Sequence, residues 1–97
     1  MYKLLDSLIQ AFFKHQLQIK MYHFQTKNYS GHKASDNYLN KFEKKLDKFM
    51  EVGQGIFGKL KISNITLNFN TLNDNTINNE LNEFIKLCKS LIFKSSG

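Results

Sequence analysis

Four side chains in this sequence have the types and spacing to do metal chemistry. Asp47 and Glu51 stand four residues apart, and Glu43 lies four residues before Asp47. On a helix such residues stack a turn apart on one face, and a ridge of three carboxylates repels itself unless cations compensate. Lys44 and Lys48, each three residues before one of the acids, offer a simple solvated ridge as the alternative reading. His23 and His32 add to the acids. They flank the short polar break Lys27-Asn28-Tyr29-Ser30-Gly31, and imidazole together with carboxylate suits a divalent transition metal, iron included.

The elements that must position these groups are helical. Leu5, Leu8, Ile9, Phe12, Phe13, Leu17, Ile19 and Met21 recur at helical spacings, which predicts a first helix over 4–25 with His23 at its end. After the break, Tyr38, Leu39, Phe42, Leu46, Phe49, Met50 and Val52 predict a second helix from near His32, with Ser35 or Asp36 as an inner cap. It runs to the glycines at 53, 55 and 58, so the two helices form an antiparallel hairpin over 4–55. Ile65, Leu67 and Phe69 alternate with polar residues, but a lone strand has nothing to pair with. An extended crossover over 59–75 explains the same pattern, and at up to ~3.3 Å per residue it can retrace the whole second helix. A third helix over 76–94 is expected to start at an Asn75 or Thr76 cap and to pack Ile77, Leu81, Phe84, Ile85, Cys88 and Leu91/Ile92. Residues 95–97 read as a frayed tail. The expected architecture is a single all-α domain over 1–94, a helical bundle of three helices with the fourth missing.

Helix geometry then restricts the site. His32 and Asp47 are 15 residues apart on one helix, hence roughly 22 Å apart along it. They cannot share a metal within one chain. If they act together, the acids must come from a second subunit running antiparallel, and a two-fold dimer would build two equivalent sites.

The motif resembles that of a known family. His23-Phe24 … Tyr29-x-x-His32 … Asp47-x-x-x-Glu51 is similar to the intersubunit ferroxidase motif of the Dps-type mini-ferritins. A further likeness, over about residues 16–58, is to a ferritin-like family known mostly from large DNA viruses. Its wording is Ile19-Lys20-Met21-Tyr22-His23-Phe24-Gln25-Thr26-Lys27 … Tyr29-x-x-His32-Lys33-Ala34 … Asp47-Lys48-Phe49-x-Glu51-Val52. The resemblance implies a ferritin-like bundle and Fe(II) oxidation by O2 or peroxide at a dimer interface. It implies His23, His32, Asp47 and Glu51 as iron ligands and catalytic residues. Phe24 stands where the Dps family has tryptophan, and the break between the histidines is shorter than in Dps proteins. With three helices in place of four, an apolar stripe would be left for a dimer partner to cover.

Composition narrows the alternatives. The chain has 97 residues, 14 lysines, no arginine, proline or tryptophan, and a formal charge of +6. A chain of this size buries only about two-thirds of its unfolded surface. A single Cys88 excludes an internal disulfide framework and multi-cysteine zinc sites. No stretch of the first 94 residues suits a bilayer span or an export leader, so a soluble, intracellular protein is expected, in host cytoplasm or virion if viral. The lysines suggest a nucleic-acid partner, but without arginine and without clustering beyond Lys44-Lys45 they read mainly as solubility and AT-rich coding bias. The rival classes are therefore a non-catalytic helical interaction module and, third, a Lys-rich DNA binder; a homodimer or higher homo-oligomer is the expected partner. Among the remaining residues, His15 is expected at the surface, Tyr22, Tyr29 and Tyr38 as packing residues with redox chemistry open to them, and Cys88 as a small core residue. Gly53-x-Gly55-x-x-Gly58 ends a helix and is no nucleotide loop.

Overall fold

A computed structural model of the chain describes residues 2–59, 66–69 and 72–96, with the side chains of 2–5 and 91–96 excepted. It contains α1 (Tyr2–Gln25), α2 (Tyr29–Phe57) and α3 (Ile77–Ser96), and no strand among the described residues. The long axis of 41 Å is set by the 29 residues of α2 at ~1.5 Å each.

The helices follow their apolar patterns, and the ends are set by local hydrogen bonds. Thr26 N–H still closes a turn onto the Tyr22 carbonyl, and Asn28 N–H donates to Thr26 Oγ1. Asn28, in extended conformation, then caps α2, its carbonyl accepting from His32 N–H at 3.0 Å. The second helix thus begins at Tyr29, three residues before the expected start, and takes Tyr29, Ser30 and Gly31 into its first turn. Ser35 is not a cap; it is buried at the contact with α1. Gly53 and Gly55 lie inside α2, and only Gly58 ends it. At φ 86°, a left-handed conformation favouring glycine, its N–H bonds to the Gln54 carbonyl.

The start of α3 is more elaborate than the sequence suggested. Asn73 Oδ1 accepts from Thr76 N–H at 3.1 Å, while Thr76 Oγ1 accepts from Asn73 N–H at 2.9 Å. This is the reciprocal arrangement of a capping box, so Asn73 serves the helix start together with Thr76, and Asn75 does not. Ser95 and Ser96, expected as a frayed end, continue α3.

Side-chain contacts fix the topology. Phe12 of α1 meets Phe42 and Phe49 of α2 and Phe84 of α3, all edge-to-face with centroids 5.4–6.4 Å apart. Nearer the α1–α2 turn, Ile19, Tyr22, Leu39 and Leu72 form a buried cluster, with Tyr38, Ile77 and Leu81 packed against it. Leu72 therefore lies beside the N-terminal half of α2, so the chain has returned along that helix before α3 begins. Tyr38 lies near His15 and Glu80, and Phe42 lies near Phe84, so α3 runs parallel to α2 and antiparallel to α1. Of the crossover expected over 59–75, only residues 59, 66–69 and 72–75 are described. Residues 66–69 are neither helix nor strand, and Ile65 lies outside the described residues.

One departure concerns α1. Leu17 and Met21, expected on its apolar face, are exposed, while His15 and Gln18 are buried. The inward positions run Phe12, His15, Ile19 and Tyr22, at spacings of three and four, so a polar ring occupies a core position.

Candidate metal centre

His23 closes α1 and His32 stands in the first turn of α2, and the tight corner between the helices brings their rings into contact. The imidazoles stack with centroids 3.9 Å apart and planes 23° from parallel. Each ring is held by the other residue's backbone. His23 Nδ1 donates to the His32 carbonyl at 2.9 Å, and His32 Nδ1 donates to the His23 carbonyl at 2.9 Å. Ser35 Oγ lies 2.9 Å from His23 Nδ1 and itself donates to the His32 carbonyl at 3.0 Å. A carbonyl oxygen only accepts, so each Nδ1 carries a proton, and in the neutral rings each Nε2 keeps its lone pair. His23 is 9 % exposed and His32 is exposed. No buried side-chain nitrogen or oxygen lacks a partner among the described residues. An imidazole whose far nitrogen donates to a carbonyl is held in orientation, and a carbonyl is a usual second partner of a ligating histidine.

The acids sit elsewhere. Asp47 and Glu51 are exposed on α2, and neither is in an ion pair among the described residues. The separation along the helix keeps them from the histidine pair of the same chain, and among the described residues no three His, Cys, Asp or Glu converge on one metal position. Direction around α2 tells more. At about 100° per residue, His32, Asp36, Glu43, Asp47 and Glu51 all fall within about 100° of one another, forming one acidic flank that starts at the histidine. The lysines at 33, 41, 44 and 48 take the adjoining flank. Scattered in sequence, they are gathered in space, a feature that the spacing of lysines along the chain did not bring out. The acidic flank adjoins α1, whose Leu17 and Phe24 are 45 % and 72 % exposed.

A second polar centre lies deeper, and the sequence reading missed it. His15, expected at the surface, is 1 % exposed. Its Nδ1 is 3.2 Å from Glu80 Oε1 and its Nε2 is 2.5 Å from the Tyr38 hydroxyl, one partner from each of the other two helices. Phe84 stacks on the ring at 3.7 Å, only 8° from parallel. Burial pushes the His15 pKa below its ordinary value, with Glu80 pulling the other way. The ring is thus a neutral imidazole that donates from Nδ1 to the carboxylate and accepts the phenol proton at Nε2. The Tyr38 pKa is pushed up to about 12 by burial and the nearby Cys88 and Glu80. Cys88, expected as a small core residue, is half-buried, and its thiol is pushed up by desolvation. The signal for His15 was its position, three residues after Phe12 and four before Ile19.

Tyr22 and Thr26 hold the end of the crossover. Their hydroxyls both donate to Asp74 Oδ1, at 2.9 and 2.6 Å, and hold that exposed carboxyl below the usual range. Gly31 lets α2 start against this latch, because a Cβ there would stand 2.6 Å from the Tyr22 hydroxyl. Tyr29, by contrast, expected as a packing residue, is 79 % exposed.

The described residues thus form an all-α arrangement of three helices whose α1–α2 corner presents a locked histidine pair. The model of a family of unknown function, DUF5856, matches residues 23–95, and the chain belongs to that family. The matched span begins at His23 and takes in all four candidate ligands. No curated protein and no solved structure matches the chain. No helix among the described residues is long and apolar enough to cross a membrane.

Proposed function

We propose that this chain is a ferritin-like subunit that binds and oxidises Fe(II) at a site shared between two copies. In this reading His23 and His32 of one chain and Asp47 and Glu51 of an antiparallel second chain hold the iron. The observation that carries it is the reciprocal lock of the two imidazoles, which fixes the tautomer that leaves both Nε2 atoms able to bind metal. Three further features support it. The acidic residues share the flank of α2 that begins at His32. The exposed apolar residues Leu17 and Phe24 on the adjoining side of α1 give a second copy a surface to pack on. A parallel α2–α3 pair joined by a length-spanning crossover is the connection found in ferritin-like bundles.

The chemistry balances without a further cofactor. Two Fe(II) ions each give one electron, and peroxide accepts both with two protons to form two waters. The carboxylates neutralise the growing charge on iron, and the imidazoles tune it. Pairing two acidic flanks brings like charges together, so association of the copies is linked to metal. The test is anaerobic Fe(II) titration followed by peroxide or O2, with oxidation read optically, on the wild type, His23→Ala/His32→Ala and Asp47→Ala/Glu51→Ala. Loss of stoichiometric binding and rapid oxidation in both variants supports the site; equal behaviour of all three refutes it.

The exposed row Leu17–Met21–Phe24 on α1 also favours the rival reading, a non-catalytic interaction module. A dimer that forms equally with and without Fe(II), and oxidises none, would decide for that rival. The lysine flank of α2 is the feature behind a nucleic-acid partner, which steep salt dependence of DNA binding would reveal.

A further inference from the structure

We propose that Tyr38 is a one-electron redox residue, with His15 as its proton acceptor and Glu80 as the group that compensates the resulting charge. The inference stands on the buried centre between the three helices and is independent of iron at the α1–α2 corner. A phenol that loses an electron becomes strongly acidic, so the electron leaves readily only where a base in contact can take the proton. His15 is that base. Its Nε2 lies 2.5 Å from the Tyr38 hydroxyl, and its Nδ1 faces Glu80 Oε1 at 3.2 Å. The carboxylate can only accept, so the imidazole proton resides on Nδ1 and Nε2 is free to receive. Burial, which holds the ring neutral, keeps Nε2 unprotonated near neutral pH.

The step is written in full as follows. The Tyr38 O–H bond breaks, the proton forms a bond to His15 Nε2, and one electron passes to a one-electron oxidant of the metal-complex or peroxide-derived radical class. The products are a neutral phenoxyl, an imidazolium paired with the Glu80 carboxylate, and the oxidant reduced by one electron. Return of the electron carries the proton back. The buried centre thus passes from a net charge of −1 to zero with its new cation paired, whereas a buried phenol donating to a plain carbonyl would be left as a bare radical cation.

Comparison among the tyrosines whose side chains are described singles out Tyr38. Tyr22 donates to the Asp74 carboxylate, a poor base because its two hydroxyl partners hold it acidic. Tyr29 is exposed and has only solvent to receive its proton. The chain has no tryptophan to compete for the oxidising equivalent, and the rings around His15 and Tyr38 are Phe42 and Phe84.

The experiment is flash oxidation of the metal-free protein with a photogenerated ruthenium(III) tris-bipyridyl oxidant. The neutral phenoxyl is followed by its near-ultraviolet absorption and by electron paramagnetic resonance. The wild type is expected to form the radical with a slower rate in deuterated solvent, and Tyr38→Phe to lose most of the signal. His15→Phe is expected to slow formation by about tenfold or more, the scale of losing a positioned base. Glu80→Gln, which keeps a hydrogen-bond acceptor but not the charge, is expected to slow it several-fold while leaving the helical circular dichroism unchanged. That last variant separates the redox role from packing and decides the matter if His15→Phe does not fold. A wild-type radical yield in Tyr38→Phe, or a wild-type rate in folded Glu80→Gln, overturns the proposal.

Discussion

A shared site makes a quantitative prediction about mixed subunits. Take one variant lacking the imidazoles, His23→Ala/His32→Ala, and a second lacking the carboxylates, Asp47→Ala/Glu51→Ala. The 15 residues between His32 and Asp47 separate them by roughly 22 Å along α2, several times the span of a metal and its ligands. Neither variant alone can then assemble a complete site, whichever copies pair. In a two-fold dimer of one variant with the other, the two positions are not equivalent. One draws on both altered sets and is dead; the other combines the intact histidines of one chain with the intact acids of its neighbour. If the variants are unfolded together and refolded at equal concentration, about half the dimers are mixed, and each has one working site of two. The mixture should therefore recover about one quarter of the wild-type Fe(II) oxidation from two inactive proteins. The assay is stopped-flow oxidation of Fe(II) by peroxide, with the refolded mixture compared with the same variants combined without refolding. Full loss in each variant with no recovery on mixing refutes the intersubunit arrangement, because a statistical dimer cannot avoid forming the intact combination. Activity in either variant alone refutes the ligand assignment itself.

Three further perturbations test the buried framework. His15 binds fewer protons folded than unfolded below its ordinary pKa of 6.5, so stability is fully present above that pH and falls as pH drops toward the lower folded value. Urea unfolding across that range should show this slope in the wild type and a flatter one in His15→Phe, and equal slopes would contradict the assignment. Tyr38→Phe leaves His15 Nε2 without its donor in a site nearly closed to water, and should cost about 1–3 kcal/mol, seen as a melting point lower by ~4–8 °C for each kcal/mol. Leu72→Ala removes the side chain by which the crossover packs on Ile19, Tyr22 and Leu39. It should cost about 2–5 kcal/mol in denaturant unfolding, and a change below ~1 kcal/mol would mean that the crossover end is not packed as described.

The fold was legible wherever local chemistry and periodicity agreed. Helical spacing marked all three helices, and the absence of proline and of a second strand left the alternating segment around Leu67 as a crossover. Apart from the inward face of α1, what was missed lay at boundaries. Tyr29, Ser30 and Gly31 look like a turn by composition. They enter α2 because Thr26 satisfies the backbone of Asn28, and Asn28 can then start the helix three residues earlier. The Asn73–Thr76 pair went unseen because attention falls on the residues adjoining the apolar run, while a capping box spans four positions. In each case a side chain reached a backbone group two or three residues away, which a hydrophobic pattern does not register.

The two polar centres differ in how much of them a sequence can carry, and the difference is physical. His23 and His32 are joined by a short break, so a hairpin of any reasonable geometry brings them close. Only the direction of the Nδ1 protons had to come from the structure. The distance to Asp47 and Glu51 follows from helical rise alone, so it was legible that a site joining them to the histidines would require a second copy. His15, Tyr38 and Glu80 are 23 and 42 residues apart in succession and meet only because α3 is returned to the same end of α2. No local rule links them. The crossover latch of Leu72 and Asp74 on Tyr22 sets that register, and a shift of one helical turn there would carry Glu80 about 5 Å along the axis, beyond hydrogen-bonding reach of His15. The polar ring inside α1 is then tolerated because both of its nitrogens are matched by partners from the other two helices, whereas an unmatched imidazole in that position would cost more than the burial of its ring returns.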